Sequence, residues 1–147
     1  MNRVLAALAL AAVTSALAAG CGGGGGSGDA EAKAEIQHDW ETFFDGSTPA
    51  ATRVALLENG PQFARIIGTI SASPLSKQLS VKVGDIDVDD DSADVKYTLL
   101  LGRNEVLRNV EGKAVRVNGR WKVGVASFCQ LLALQGARPK ECPAPPK

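Results

Sequence analysis

The chain is poor in the residue types on which most catalytic and metal centres depend. Among 147 residues there are one histidine, one tyrosine, one methionine and three cysteines, and aromatics make up 5%. Two cysteines with one distant histidine cannot complete a four-ligand zinc site without help from carboxylates. An excess of charge of either sign is also missing. Sixteen basic residues face sixteen acidic ones, which rules out a basic nucleic-acid-binding face as the default reading. Only one long apolar run occurs, so the chain is not a polytopic membrane protein. What remains, 45% hydrophobic and 22% charged, suits one globular domain; it is too apolar for a disordered chain and too short for two domains.

The apolar run lies at the amino terminus. Met1-Asn2-Arg3 forms a short positive region, and Val4 to Ala19 is small and apolar throughout, relieved only by Thr14 and Ser15. Its length falls short of a comfortable bilayer span and fits the core of a secretory signal over residues 1–20. Leu17-Ala18-Ala19-Gly20-Cys21 resembles the bacterial lipobox, in which the cysteine receives a diacylglyceryl thioether and becomes the new amino terminus. The leucine stands four residues before the cysteine, with Ala18 at the usual leucine place. Ordinary signal cleavage after Ala16-Leu17-Ala18 is the alternative. Residues 22–28 hold six of the sixteen glycines. Such a stretch has little side chain to bury and much entropy to lose, so residues 21–28 are expected to form a leash. The GxGxxG match at Gly23, Gly25 and Gly28 is compositional, because no strand precedes it.

If Cys21 is the lipid attachment site, Cys129 and Cys142 remain as an even pair, expected to be oxidised outside the cytoplasm. A disulfide closing this short loop stabilises by about 3 kcal/mol. The rival readings, a zinc site or a catalytic thiol, fit poorly with the apolar run Ser127-Phe128-Cys129-Gln130-Leu131-Leu132.

The domain, expected over residues 29–143 with a proline-rich tail at 144–147, reads as helices first and strands second. Asp29 is placed to cap a helix with the stripe Ile36, Trp40, Phe43 and Phe44, ended by Gly46. Thr48 and Pro49 open a second helix carrying Val54, Leu56 and Leu57, which stops at Asn59-Gly60. Pro61 opens a third, with Phe63, Ile66, Ile67 and Ile70, before Pro74. From Leu79 the period becomes two. Val81 and Val83 share a face, and a bulge near Gly84 would restore Ile86 and Val88 to it. Val95, Tyr97, Leu99 and Leu101 form the next strand, with a turn at Gly102-Arg103-Asn104. Val115 and Val117 lead to Asn118-Gly119, a strong hairpin signal, after which Trp121, Val123 and Val125 return. Ser127 is placed to cap a final helix, with Gly136 past its end. This order predicts an α+β fold, with helices packed on a curved antiparallel sheet of about four strands. It resembles the cone-shaped NTF2-like architecture.

A family resemblance rests on several segments in fixed order. They are Trp40-x-x-Phe43-Phe44-Asp45-Gly46, Val54-x-Leu56-Leu57-Glu58-Asn59-Gly60 and Val95-x-Tyr97-x-Leu99, then Gly119-x-Trp121-Lys122-Val123, Phe128-Cys129-x-Leu131-Leu132-x-Leu134-x-Gly136 and Cys142-Pro143. From about Glu35 to Pro143 the chain resembles the mycobacterial low-molecular-weight secreted antigen family, found in culture filtrates and recognised by T cells. The resemblance implies an exported actinobacterial domain with no assigned catalytic residues; separately, no cofactor is expected. The lipobox-like Cys21 and glycine leash depart from a simply secreted antigen.

His38 is expected on the solvent side of the first helix, two positions from both Ile36 and Trp40. Asp39 and Glu41 do not face it at helical spacing. An acid–base mechanism of the ketosteroid-isomerase type needs an acidic base and a tyrosine donor inside the cone; Tyr97 reads instead as a wall residue. Asp85, Asp87, Asp89, Asp90, Asp91 and Asp94 fail the calcium-loop pattern, with Asp90 or Ser92 where glycine belongs and Lys96 or Thr98 where glutamate belongs. They read as a solvated strand end and turn. The expected function is a membrane-anchored surface lipoprotein in the cell envelope, non-enzymatic, binding an envelope protein or a hydrophobic small molecule and no nucleic acid or metal. The alternative is a small NTF2-like enzyme or hydrophobic-ligand carrier using the cone cavity.

Overall fold

Residues 26–144 are described by a computed structural model of the chain. The expected signal, Cys21 and most of the glycine leash lie outside these residues. Helix α1 runs from Gly26 to Phe44 and buries Ala32, Ile36, Trp40, Phe43 and Phe44 along one stripe. It starts earlier than the composition implies. Gly26, Ser27 and Gly28, assigned above to the leash, form its first turn, and Asp29 lies within that turn instead of capping it. Once the strong helix formers of Ala30–Glu35 have nucleated the helix, each added residue closes a further hydrogen bond. The Asp29 carboxylate then meets the positive end of the helix dipole.

Helix α2, Ala50–Leu56, is capped by Pro49 in an extended conformation, not by Thr48, and ends before Asn59. Leu57 is extended and forms a parallel bridge with Val123. That contact with the sheet edge takes the backbone out of the helix. A 3-10 turn, Gly60–Phe63, leads into α3, Ala64–Ala72. Ser73 is extended (ψ 130°), as a residue before proline must be.

Four strands follow: β1 Leu79–Asp89, β2 Ser92–Leu101, β3 Asn104–Val117 and β4 Arg120–Val123. They form one antiparallel sheet in sequential order. The register passes from Val83↔Tyr97 to Ile86↔Val95, so β1 carries one extra residue at Gly84-Asp85. This is the bulge that the parity of the valines requires. Strand β3 has two more irregularities, between Val110 and Leu107 and between Leu107 and Glu105. Extra residues on one strand bend it, and here the bend curls the sheet around the helices. Asn118 and Gly119 both have positive φ, 52° and 77°, as a two-residue type I′ hairpin demands.

The inward positions at the end of β3 are not Val115 and Val117. Gly112 and Ala114 are buried, whereas Val115 and Val117 lie half-exposed on the opposite face. Val125 also leaves the sheet and opens helix α4, Val125–Leu134. Its cap is Gly124, and Ser127 is buried inside the first turn. There Ser127 Oγ accepts a hydrogen bond from the Lys113 N–H at 2.7 Å, tying α4 to β3. Glu58, distant in sequence, accepts from the Val125 N–H at 2.9 Å and places a carboxylate at the helix N-terminus. The C-terminus closes in a Schellman motif: Ala137 N–H donates to the Leu132 carbonyl and Gly136 N–H to that of Ala133.

Candidate functional site

Aromatic rings pack between the helices and the inner face of the sheet. Trp40 packs on Tyr97 with centroids 5.5 Å apart, and Phe44 stacks on Tyr97 at 5.6 Å. Phe43 meets Phe44 edge-on at 4.9 Å and Phe128 at 5.7 Å, and Phe128 continues to Phe63 at 5.6 Å. Helix α1 supplies three of these rings because Trp40, Phe43 and Phe44 follow one another at helical spacing. Strand β2 supplies Tyr97 on the same face as Ala93, Val95 and Leu99, all buried. Edge-to-face and offset contacts at these distances stabilise beyond simple area burial.

Tyr97 is buried, and burial pushes its hydroxyl up to about 12, which holds it as a neutral phenol. Among the described residues the buried polar or charged side chains are Arg53, Ser76 and Ser127. No carboxylate is therefore buried beside Tyr97 in the described part of the chain. His38 is exposed on the outer side of α1, away from the rings. Its neighbour Asp39 is half-buried, and its carboxyl is raised above the usual range by burial and by Glu35, with His38, Arg120 and Lys122 acting in the opposite sense.

The six aspartates from Asp85 to Asp94 are all exposed, around the β1–β2 turn in which Asp90 has φ 50°. Asp94 pairs with Lys113 at 2.9 Å, and Asp91 stands 3.9 Å from Arg116. Among the described residues no group of three or more His, Cys, Asp or Glu side chains is placed to hold a metal ion. Cys129, buried on α4, is joined by a disulfide to Cys142, with Cα atoms 5.7 Å apart.

One buried charge has no counterpart in the sequence reading. Arg53 on α2 is 6% exposed. Its Nη2 donates to the Asp45 carbonyl at the end of α1. Its Nε has no hydrogen-bond partner. Burial pushes the guanidinium down from its usual range, opposed by the nearby Asp45 charge. The Asp45 carboxylate is itself occupied, accepting from the Ser47 N–H at 2.7 Å and the Ser47 hydroxyl at 2.6 Å. Nothing in Thr52-Arg53-Val54 distinguishes a buried arginine from an exposed one. The packing of α2 against the end of α1 decides it.

Helices on a curled antiparallel sheet, closed over a continuous aromatic interior, define the class: a small α+β domain with its own core. Within that class the chain belongs to the low molecular weight antigen MTB12 family, whose C-terminal domain model matches residues 29–139. No curated protein is similar in sequence at a significant level. Among solved structures, a Campylobacter jejuni protein described as an NTF2-like transpeptidase aligns at 12% identity with a TM-score of 0.42, over 65% of this chain and 97% of its own.

Proposed function

We propose that this chain is an exported domain, anchored to the cell membrane through a lipid on Cys21, that acts in the envelope by binding and not by catalysis. The observation that carries the non-catalytic part is the aromatic packing around Tyr97. Phe44 stacks on Tyr97 and Trp40 packs at a tilt against both, and the tyrosine hydroxyl has no buried carboxylate beside it among the described residues. Acid–base chemistry requires an oriented, pKa-matched pair, and His38 on the exposed side of α1 supplies none to this interior.

The anchoring part is supported by the signal-like segment and the cysteine that follows it. Because α1 already begins at Gly26, a chain attached at Cys21 reaches no more than about 18 Å from its anchor. The domain then sits close to the lipid surface, within contact distance of envelope components. Two acyl chains, each buried methylene worth about 0.8 kcal/mol, are enough for durable attachment.

Cell fractionation with intact-mass analysis tests the anchor. The native protein is expected in the membrane fraction, carrying diacylglyceryl mass on Cys21, and Cys21→Ala is expected in the medium. A mature form that begins downstream of Cys21, or an unmodified Cys21, overturns the anchor. A reproducible turnover abolished by His38→Ala or Tyr97→Phe overturns the non-catalytic reading.

A further inference from the structure

The guanidinium of Arg53 is the one buried charge among the described residues, and it makes no close ion pair, although the Asp45 carboxylate stands nearby. The carboxylates that form ion pairs there, Asp91, Asp94 and Glu105, are engaged with Arg116, Lys113 and Arg108. Contact with the Asp45 carbonyl satisfies one N–H and sets a positive charge at the C-terminal end of α1. It leaves Nε buried and without a hydrogen-bond partner. Native structures rarely keep a buried donor unsatisfied, and an unpaired buried charge is costlier still.

Arg53 also lines a cavity of about 60 Å³, with Phe44, Ile67, Ile70, Leu99 and Leu132 on its walls and the exposed Gln135 at its rim. The lining residues are apolar apart from Arg53 and Gln135. An apolar wall with a single buried donor group suits a ligand that has one anionic end and a hydrocarbon remainder. Arginine presents its N–H groups in a planar fork that matches a carboxylate. The volume is well below the several hundred Å³, roughly, that a drug-sized molecule needs, so the hydrocarbon part must be short.

We propose that this cavity binds a short aliphatic monocarboxylate, its carboxylate on Arg53 and its hydrocarbon against Ile67, Ile70 and Leu132. The proposal deepens the binding reading above and rests on it. A merely structural arginine, holding the end of α1, would gain nothing from such a ligand.

The test is isothermal titration calorimetry, with thermal melts in parallel, on the full chain carrying Cys21→Ala so that no detergent is needed. The probes are propionate, butyrate, n-butanol and inorganic phosphate. Propionate or butyrate is expected to bind and raise the melting temperature, while butanol and phosphate do not. Arg53→Met keeps much of the aliphatic bulk and is expected to weaken carboxylate binding about tenfold to a hundredfold, the range for loss of a charge-assisted hydrogen bond. Ile70→Phe, which fills the cavity and leaves the charge in place, is expected to abolish binding and serves as the second variant if Arg53→Met does not fold.

Equal binding of butanol and butyrate, binding of phosphate alone, or carboxylate binding unchanged in both variants overturns the site. Absence of carboxylate binding likewise overturns the site and leaves the anchored, non-catalytic reading standing. A turnover that requires Tyr97 or His38 removes that broader reading while leaving any Arg53-dependent binding intact.

Discussion

Gly112 shows how one residue sets the position of the largest ring in the core. A methyl group at this position would lie 2.8 Å from Trp40 Cζ2 and 3.2 Å from Ser127 Oγ. Trp40 is 1% exposed and already in contact with Phe44 and Tyr97, so the ring has little room to withdraw. Gly112→Ala is therefore expected to destabilise the fold by about 1–3 kcal/mol, the usual cost of overpacking, measured by urea denaturation. Asp39 is the residue whose removal should do the reverse. Its carboxyl is raised by burial and by Glu35, so the folded state takes up its proton more readily than the unfolded chain does. The associated stability is complete below the unfolded value of 3.8 and is lost as the pH rises through the higher folded value. Asp39→Asn is accordingly expected to raise the melting temperature at pH 7, with the difference from the native chain vanishing below pH 3.8. A melting temperature at pH 7 lower than that of the native chain would show that Arg120 and Lys122 outweigh burial.

At the scale of elements, regular alternation survived into the structure where one face of a strand is buried and the other wet. The parity change in β1 called for a bulge at Gly84, and the register supplies it. The Asn118-Gly119 turn was legible because only residues tolerant of positive φ occupy both central positions. The bulges in β3 were not legible: Glu105, Val106, Leu107 and Arg108 carry no parity signal, and the sheet's curvature determines where the extra residues go. The start of α4 was misplaced for a similar reason. Val125 continues the alternation of Trp121 and Val123, yet Gly124 N–H bonds to the Lys113 carbonyl and the Glu58 carboxylate takes the next amide, which starts a helix. Helix α4 is also the element that the disulfide holds. Cys129 lies among buried residues, whereas Cys142 belongs to the segment after the helix. Replacing both cysteines by serine is expected to lower stability by about 2–4 kcal/mol. Far-UV circular dichroism should change little, because the aromatic interior and the sheet do not depend on that crosslink. Two titratable free thiols in protein isolated without reductant would exclude the bond.

At the scale of the whole molecule, the segment order and the apolar stripes determined that helices would pack on one face of a curved antiparallel sheet. The order of quoted motifs pointed to the antigen family to which the chain belongs. These properties are local or nearly so: a helical stripe, a two-residue turn and a strand's parity are each written within a dozen residues, and burying them leaves few arrangements. Which residues fill the interior was decided only by the tertiary structure. Gly112 and Ala114, not the neighbouring valines, face inward because Trp40 needs the space above β3. Arg53 is buried because α2 leaves its helix at Leu57 to pair with Val123 and lies against the end of α1. A charge on a short helix has no local signature of burial. Its environment comes from segments far away in sequence, and the cavity it lines exists only once α1, α2, α3, α4 and the sheet have met.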